Sequence, residues 1–244
     1  MPLAKDLSSA LCIVGSTLVL VLGILVHRGP TDILTYHPVL MTIGWNLILP
    51  FGYWIFNYEE LPYEEWKPRA RRRQLHIACQ VSGSLCVALG YLAVCLAHSR
   101  NAGTRLFHVD RPPMGFDYKM PGSSVYQVAR PFAQAHVVLG YTGLCMLPVQ
   151  LLMGAWKYFR RYRRCGEERP DDCPVHEFLG NIAYIAGALN VLIGLWLWDA
   201  MSHPVRFLIS IVVLCGYGLG LRWGRTSAEC PATPSAPELD DDEG

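Results

Sequence analysis

Long apolar runs alternate with short polar segments along most of the chain. Six runs of 17 to 24 residues occupy 7–26, 36–56, 75–97, 132–154, 175–198 and 205–221. A helix of about 20 apolar residues crosses the hydrocarbon core of a bilayer. The pattern therefore predicts an all-α membrane protein with six transmembrane helices, which form one domain over residues 1–226.

Composition agrees with this prediction. Hydrophobic residues make up 52% of the chain and charged residues 17%, and the charges gather between the apolar runs. The first run follows Lys5 and could also be read as a signal peptide. It is long for that role and no A-x-A pattern precedes His27, so we expect a retained helix.

The distribution of lysine and arginine predicts the orientation. Fourteen of the 21 basic residues fall on one side, mostly in the segments that follow the second and fourth runs. Basic residues near helix ends stay in the cytosol. Both termini are therefore expected to be cytosolic, while the loop 99–131 faces the opposite side. The sequence does not indicate which membrane holds the protein. Residues 227–244 are rich in proline and acidic residues, which predicts a disordered cytosolic tail.

Four histidines stand at the start of four consecutive predicted helices, the second to the fifth: His37, His76, His136 and His176. An ionisable side chain at membrane depth is costly and usually faces a partner inside the bundle. Because successive helices run in opposite directions, His37 and His136 share one depth. His76 and His176 share the other. Topology thus predicts two histidine pairs, one near each membrane face.

Small residues lie below each histidine on the same helical face. Gly44, Gly83, Gly143 and Ala183 each follow a histidine by seven residues, which is two helical turns. A flat, wide group held between two imidazoles needs such space, and helix bundles build haem sites from facing side chains in this way. We therefore expect the four middle helices to form a core that binds two haem b groups. The alternative is that the small residues only allow close helix packing, with histidine as hydrogen-bonding glue.

Two amides recur at matching positions on the fourth and fifth helices. Gln150 follows His136 by 14 residues, and Asn190 follows His176 by the same number. Fourteen residues of helix span about 21 Å. Gln150 should therefore lie near the cytosolic pair and Asn190 near the outer pair. Each amide could bind a haem propionate or a neighbouring helix.

Four motifs resemble those of the cytochrome b561 family. They are Y-H-P-V-L-M at 36–41, R-R-R-Q-L-H at 71–76, A-H-V-V-L-G-Y at 135–141 and V-H-E-F-L-G at 175–180. The resemblance covers residues 7–223. It implies a six-helix protein with two b-type haems, ligated by His37 with His136 and by His76 with His176. It also implies a transmembrane oxidoreductase, which passes electrons from cytosolic ascorbate to monodehydroascorbate or ferric iron on the other side.

The chain departs from the family at the cytosolic end of the second helix. The segment F-G-Y-W-I-F-N-Y-E-E-L-P at 51–62 lacks the basic stretch that the family associates with ascorbate. Arg71, Arg72 and Arg73 precede the histidine of the third helix and could bind an anionic donor. They could equally be positive anchors at the cytosolic face.

The expected partners are the lipid bilayer and small donor and acceptor molecules, with no nucleic acid. A homodimer through the first and sixth helices is open, since these helices carry no haem ligand. One alternative function is a cytochrome subunit that delivers electrons to a partner protein. A haem-free channel or transporter would need charges in mid-membrane or broken helices, and the sequence offers little of either.

Overall fold

The computed structural model describes residues 2–57, 69–102, 124–163, 174–197 and 202–226, and these residues form helices without any strand. A 3₁₀ turn, Ile33–Thr35, lies between the first two helices. The helical elements are α1 (Pro2–Arg28), α2 (Tyr36–Thr42), a π-helical segment (Ile43–Ile48), α3 (Leu49–Asn57), α4 (Arg69–Ala102), α5 (Ser124–Arg163), α6 (Pro174–Leu197) and α7 (His203–Thr226). Because α2, the π segment and α3 are continuous, six helical rods stand at the six predicted runs.

Within the described ranges, four helical stretches are long and apolar enough to cross a membrane. They are Ile33–Ile55, Arg71–Ala97, Pro131–Phe159 and Val175–Leu197. The first and last rods have shorter apolar stretches, Leu11–His27 and His203–Gly218. Large apolar side chains such as Leu152 and Trp156 lie on the outside of the bundle, exposed by 70% and 71%. An apolar outer surface is suited to lipid.

Several helices are longer than their apolar runs. The helix α4 begins at Arg69 and ends at Ala102, and α5 begins at Ser124 and ends at Arg163. Both helices therefore extend into the predicted outer loop 99–131. A helix satisfies its own backbone hydrogen bonds, so polar residues continue it past the apolar stretch. The predicted tail at 227–244 lies outside the described residues.

The rods pack in layers. One layer joins α4 to the continuous α2–α3 rod, and a second joins α5 to α6. The helices α1 and α7 pack against each other. Contacts are dense within each layer but sparse between α4 and α5. Each predicted histidine pair takes one member from each layer.

The two layers meet at the indole ring of Trp45 in the π segment. A Cβ atom added to Gly143 would lie 2.9 Å from this ring, and one added to Gly187 would overlap it. The ring thus fills a notch between α5 and α6, where both glycines leave space. Val87 and Leu147 pack in the same buried cluster. The Tyr217 hydroxyl donates a hydrogen bond to the Trp45 carbonyl oxygen and holds the π segment against α7.

A buried amide ties α1 to the same π segment. Asn46 is fully buried, and its Nδ2 donates to Thr17 Oγ1 at 2.8 Å and to Ser16 Oγ at 3.1 Å. Polar side chains between membrane helices stabilise packing in this way. Gly29 ends α1 with a φ of 77°, a left-handed conformation that glycine adopts without strain. The chain can therefore turn directly into the helix that carries His37.

The notch makes a prediction for stability. We expect Gly187→Ala to destabilise the protein by about 1–3 kcal/mol, because the added methyl group overlaps the Trp45 ring. Thermal unfolding in detergent measures the effect. Gly15→Ala is the matched control, since a Cβ there meets no atom within 4 Å; it should be neutral or up to about 1 kcal/mol more stable. Equal effects of the two substitutions would contradict the packing of Trp45 against Gly187.

Candidate functional site: two histidine pairs

The four histidines lie on four different helices of the two layers, and each is half-buried. His37 stands in the first turn of α2 and His176 in the first turn of α6. His76 and His136 lie further inside α4 and α5, because these helices begin before their apolar runs. The half-burial leaves each ring neither in the packed core nor on the outer surface.

The structure brings His37 and His136 together. Their ring centroids are 6.3 Å apart and the ring planes are nearly perpendicular, at 88°. Two imidazoles that share one metal ion, each with a metal–nitrogen bond of about 2.0 Å, have ring centres about 6 Å apart. The spacing of His37 and His136, called the outer pair after its predicted side, therefore fits two imidazoles that bind one iron.

Three of the histidines use Nδ1 to contact a backbone carbonyl oxygen on another helix. The distances are 3.0 Å from His37 to Gly90, 2.9 Å from His76 to Gly52 and 3.2 Å from His136 to Asn190. A carbonyl oxygen can only accept, so in a neutral ring Nδ1 carries the hydrogen. Nε2 then has the lone pair, which is the arrangement found in metal-ligating histidines.

His76 and His176 belong to opposite layers and lie within range of each other's charge, and Lys157 lies within range of both rings. Gly154, one turn before Lys157 on α5, leaves space for the ring: a Cβ there would lie 3.7 Å from His176 Cε1. His76 and His176, called the inner pair after its predicted side, thus have the cation of Lys157 nearby. In the sequence, Lys157 is only one of several basic residues on the predicted cytosolic face.

Gln150 lies against His176, as the helix rise indicates. Its side-chain amide is 2.8 Å from His176 Nδ1. Asn190 lies beside His136, where its backbone oxygen meets the ring and its amide lies near Gly140. Of the two roles left open, the structure therefore displays contact with the neighbouring helix. The relation is reciprocal, since each of α5 and α6 supports the histidine of the other.

Three of the four small residues expected beside the haems lie at helix contacts, and the fourth is buried. A Cβ at Gly44 would meet Val87 at 2.8 Å, and one at Gly83 would meet Leu49 at 2.7 Å. Gly143 faces Trp45, and Ala183 is buried. These contacts agree with the close-packing alternative at Gly44, Gly83 and Gly143, and the haem-packing role of all four residues stays a prediction.

Sequence reasoning missed the carbonyl groups of Gly52 and Gly90. Every residue has a carbonyl, so no residue type marks the one that meets a histidine. The glycines themselves are the available signal. A Cβ at Gly52 would lie 2.6 Å from Cys79 Cβ, and one at Gly90 would lie 3.2 Å from Leu40 Cβ. The missing side chains let α4 and the α2–α3 rod approach closely enough for the hydrogen bonds.

The three arginines expected to bind a donor lie at the start of α4, on the approach to His76. Arg71 is exposed, while Arg72 and Arg73 are half-buried. Their place agrees with donor binding and with membrane anchoring alike.

Gly194 and Gly154 differ in the space that they leave beside the rings of His136 and His176. A Cβ at Gly194 would lie only 3.1 Å from His136 Cε1, whereas one at Gly154 would lie at an ordinary 3.7 Å from His176. We therefore expect Gly194→Ala to displace the His136 ring and lower the haem content per chain. Gly154→Ala should leave the haem content unchanged, which the pyridine haemochrome assay measures. A loss of haem in Gly154→Ala but not in Gly194→Ala would contradict this geometry.

Within the described residues, no three His, Cys, Asp or Glu side chains gather as a metal site. A haem iron held between two histidines takes only two protein ligands, so the question of haem turns on the pairs themselves. No family model matches this chain, and no curated protein and no solved structure matches it either.

Proposed function

We propose that this chain is a six-helix, di-haem transmembrane oxidoreductase of the cytochrome b561 type. It carries electrons from a cytosolic donor, ascorbate, to monodehydroascorbate or ferric iron on the other side of the membrane. The observation that carries the proposal is the outer pair. Its rings are 6.3 Å apart and both Nδ1 atoms meet carbonyl oxygens.

The hydrogen bonds of three histidines suit metal ligation. Here the carbonyl oxygens of Gly90, Asn190 and Gly52 orient three rings with Nδ1 protonated. Such bonds fix the tautomer and raise the basicity of Nε2 toward a metal.

When bound, each haem would supply a one-electron carrier. His37 with His136 on the outer side and His76 with His176 on the inner side would hold the two groups. Between the two pairs, the buried cluster of Trp45, Val87, Leu49 and Leu147 excludes water from the middle of the bundle. This apolar cluster separates the histidine pair near one membrane face from the pair near the other.

The cationic groups point to the donor side. Arg72, Arg73 and Lys157 lie on the side of the inner histidine pair, which the excess of basic residues assigns to the cytosol. An anionic donor such as ascorbate is attracted to such a face. The ascorbate monoanion gives up one electron to the protein and one proton to the cytosol and becomes monodehydroascorbate. The acceptor gains that electron on the other side, and monodehydroascorbate, where it is the acceptor, also takes up a proton there.

The first test is the visible absorption spectrum of the full-length protein in detergent, with haem counted per chain. We expect two low-spin b haems that ascorbate reduces. His136→Ala should remove one of them, because the outer iron loses a ligand. His27→Ala is the control, since this exposed histidine belongs to neither pair. A well-folded wild-type protein without haem would disprove the proposal, and reduction by dithionite alone would exclude ascorbate as the donor.

The role of the three arginines can be tested separately. If they bind ascorbate, replacing Arg71, Arg72 and Arg73 with glutamine should raise the KM for ascorbate by roughly tenfold, the value of one lost charge-assisted hydrogen bond. The triple lysine variant keeps the positive charge and should retain most of the affinity. Reduction by dithionite is the control and should not change. An unchanged KM in the glutamine variant would leave the arginines as membrane anchors.

A further inference from the structure

The four histidines do not share one kind of support. His37, His76 and His136 direct Nδ1 toward backbone carbonyl oxygens, which can act only as acceptors. His176 instead directs Nδ1 toward the side-chain amide of Gln150, at 2.8 Å. An amide carries an acceptor and a donor at opposite ends, and it can present either one. Among the four histidines, His176 is therefore the one whose Nδ1 faces a side chain, and that side chain can influence its tautomer.

The surroundings of the Gln150 amide distinguish its two conceivable orientations, which are related by a half-turn. In the first, its nitrogen donates to His176 Nδ1 at 2.8 Å and to the His176 carbonyl oxygen at 3.2 Å, while its oxygen accepts from the Gly180 backbone N–H at 2.9 Å. All three contacts are satisfied. Because Nδ1 then accepts, the proton of a neutral ring lies on Nε2, and Nε2 has no lone pair for a metal.

In the second orientation, the amide oxygen faces Nδ1 and accepts its hydrogen. Nε2 then carries the lone pair, as in the other three histidines. This orientation turns the amide oxygen toward the His176 carbonyl oxygen and the amide nitrogen toward the Gly180 N–H, so two contacts become unfavourable. Binding of iron by His176 must offset their loss. The local hydrogen bonds therefore oppose ligation at His176, whereas the backbone bonds of the other three favour it.

We propose that Gln150 is a positioning residue that sets the tautomer of His176, so that the inner histidine pair holds its haem less tightly than the outer pair and with a potential that Gln150 tunes. This inference rests on the proposed function, because it assigns a role to Gln150 only if His176 ligates haem.

Two substitutions separate the donor and acceptor roles of the amide. Gln150→Glu replaces the amide with a carboxylate that can only accept, and Lys157, two turns further along α5, can offset its charge. It should keep both haems and lower the midpoint potential of one, since a stronger acceptor at Nδ1 stabilises ferric iron. Gln150→Leu keeps the volume without an acceptor. It removes both the donor that opposes ligation and the acceptor that supports it, so it should keep the inner haem and raise the midpoint potential of that haem.

Gln80→Leu is the matched control. Gln80 also lies one turn after a ligand, His76, but its amide donates to the Leu49 carbonyl oxygen at 3.4 Å instead of a ring. Its substitution should change neither the haem content nor the potentials. The readouts are haem per chain, potentiometric titration and the EPR g-values of the low-spin haems, none of which needs turnover. They resolve the two sites, and the outer site should stay at its wild-type values in all variants.

The outcomes separate the two proposals. A wild-type protein without haem would overturn both at once. Two haems in the wild type, with potentials and g-values that Gln150→Glu and Gln150→Leu leave unchanged, would overturn the role of Gln150 and leave the proposed function standing. Equal losses of haem in Gln150→Leu, Gln150→Glu and Gln80→Leu would also overturn it, because the effect would then be one of packing alone. A lower potential of one haem in Gln150→Glu and a higher one in Gln150→Leu, with the haem content kept in both, is the result that supports it.

Discussion

The contact of the Trp45 ring with the glycines of α5 and α6 sets the distance between the two layers of the bundle. The helix α4 lies tightly along the α2–α3 rod, and α5 lies tightly along α6, but the two pairs touch sparsely elsewhere. At the centre, Gly143 and Gly187 leave a notch that the indole fills. Because a packed interior tolerates neither voids nor overlap, this contact fixes how far apart the histidines of opposite layers can stand. The 6.3 Å between the rings of His37 and His136 depends on it.

The π segment explains why a tryptophan can occupy that place. A π-helical turn shifts the residues that follow it around the helix axis, and such segments are frequent at functional sites. Here it presents Trp45 to α5 and α6 and Asn46 to α1, while the Trp45 carbonyl oxygen accepts from Tyr217 on α7. One short irregular segment thus joins the second rod to the first, fourth, fifth and sixth rods of the bundle. The regular parts on either side, α2 and α3, contact α4 and carry His37 and the Gly52 carbonyl.

The supports of the histidines form a pattern across the bundle. On the outer side, His37 and His136 both rest on backbone carbonyl oxygens, which cannot change role. On the inner side, His76 does so as well, but His176 meets an amide whose two ends have opposite chemistry. Lys157 lies within range of the His176 charge, and Arg72 and Arg73 precede His76 by about one helical turn on α4. If haem occupies both pairs, the structure makes the inner one the more adjustable and the outer one the more rigid.

The sequence by itself determined the helices and the rows of residues on them, because hydrophobic runs and helical spacing are local properties. The positions of four histidines, the reciprocal places of Gln150 and Asn190 and the all-helical class follow from counting along the chain. The helix ends at Arg69, Ser124 and Arg163 did not follow, because a helix continues through polar residues once its backbone bonds are made. Only the tertiary structure decided which atoms meet each ring. The carbonyl groups of Gly52 and Gly90, the notch that holds Trp45 and the amide that faces His176 are contacts between segments distant in sequence, and a carbonyl group is common to every residue.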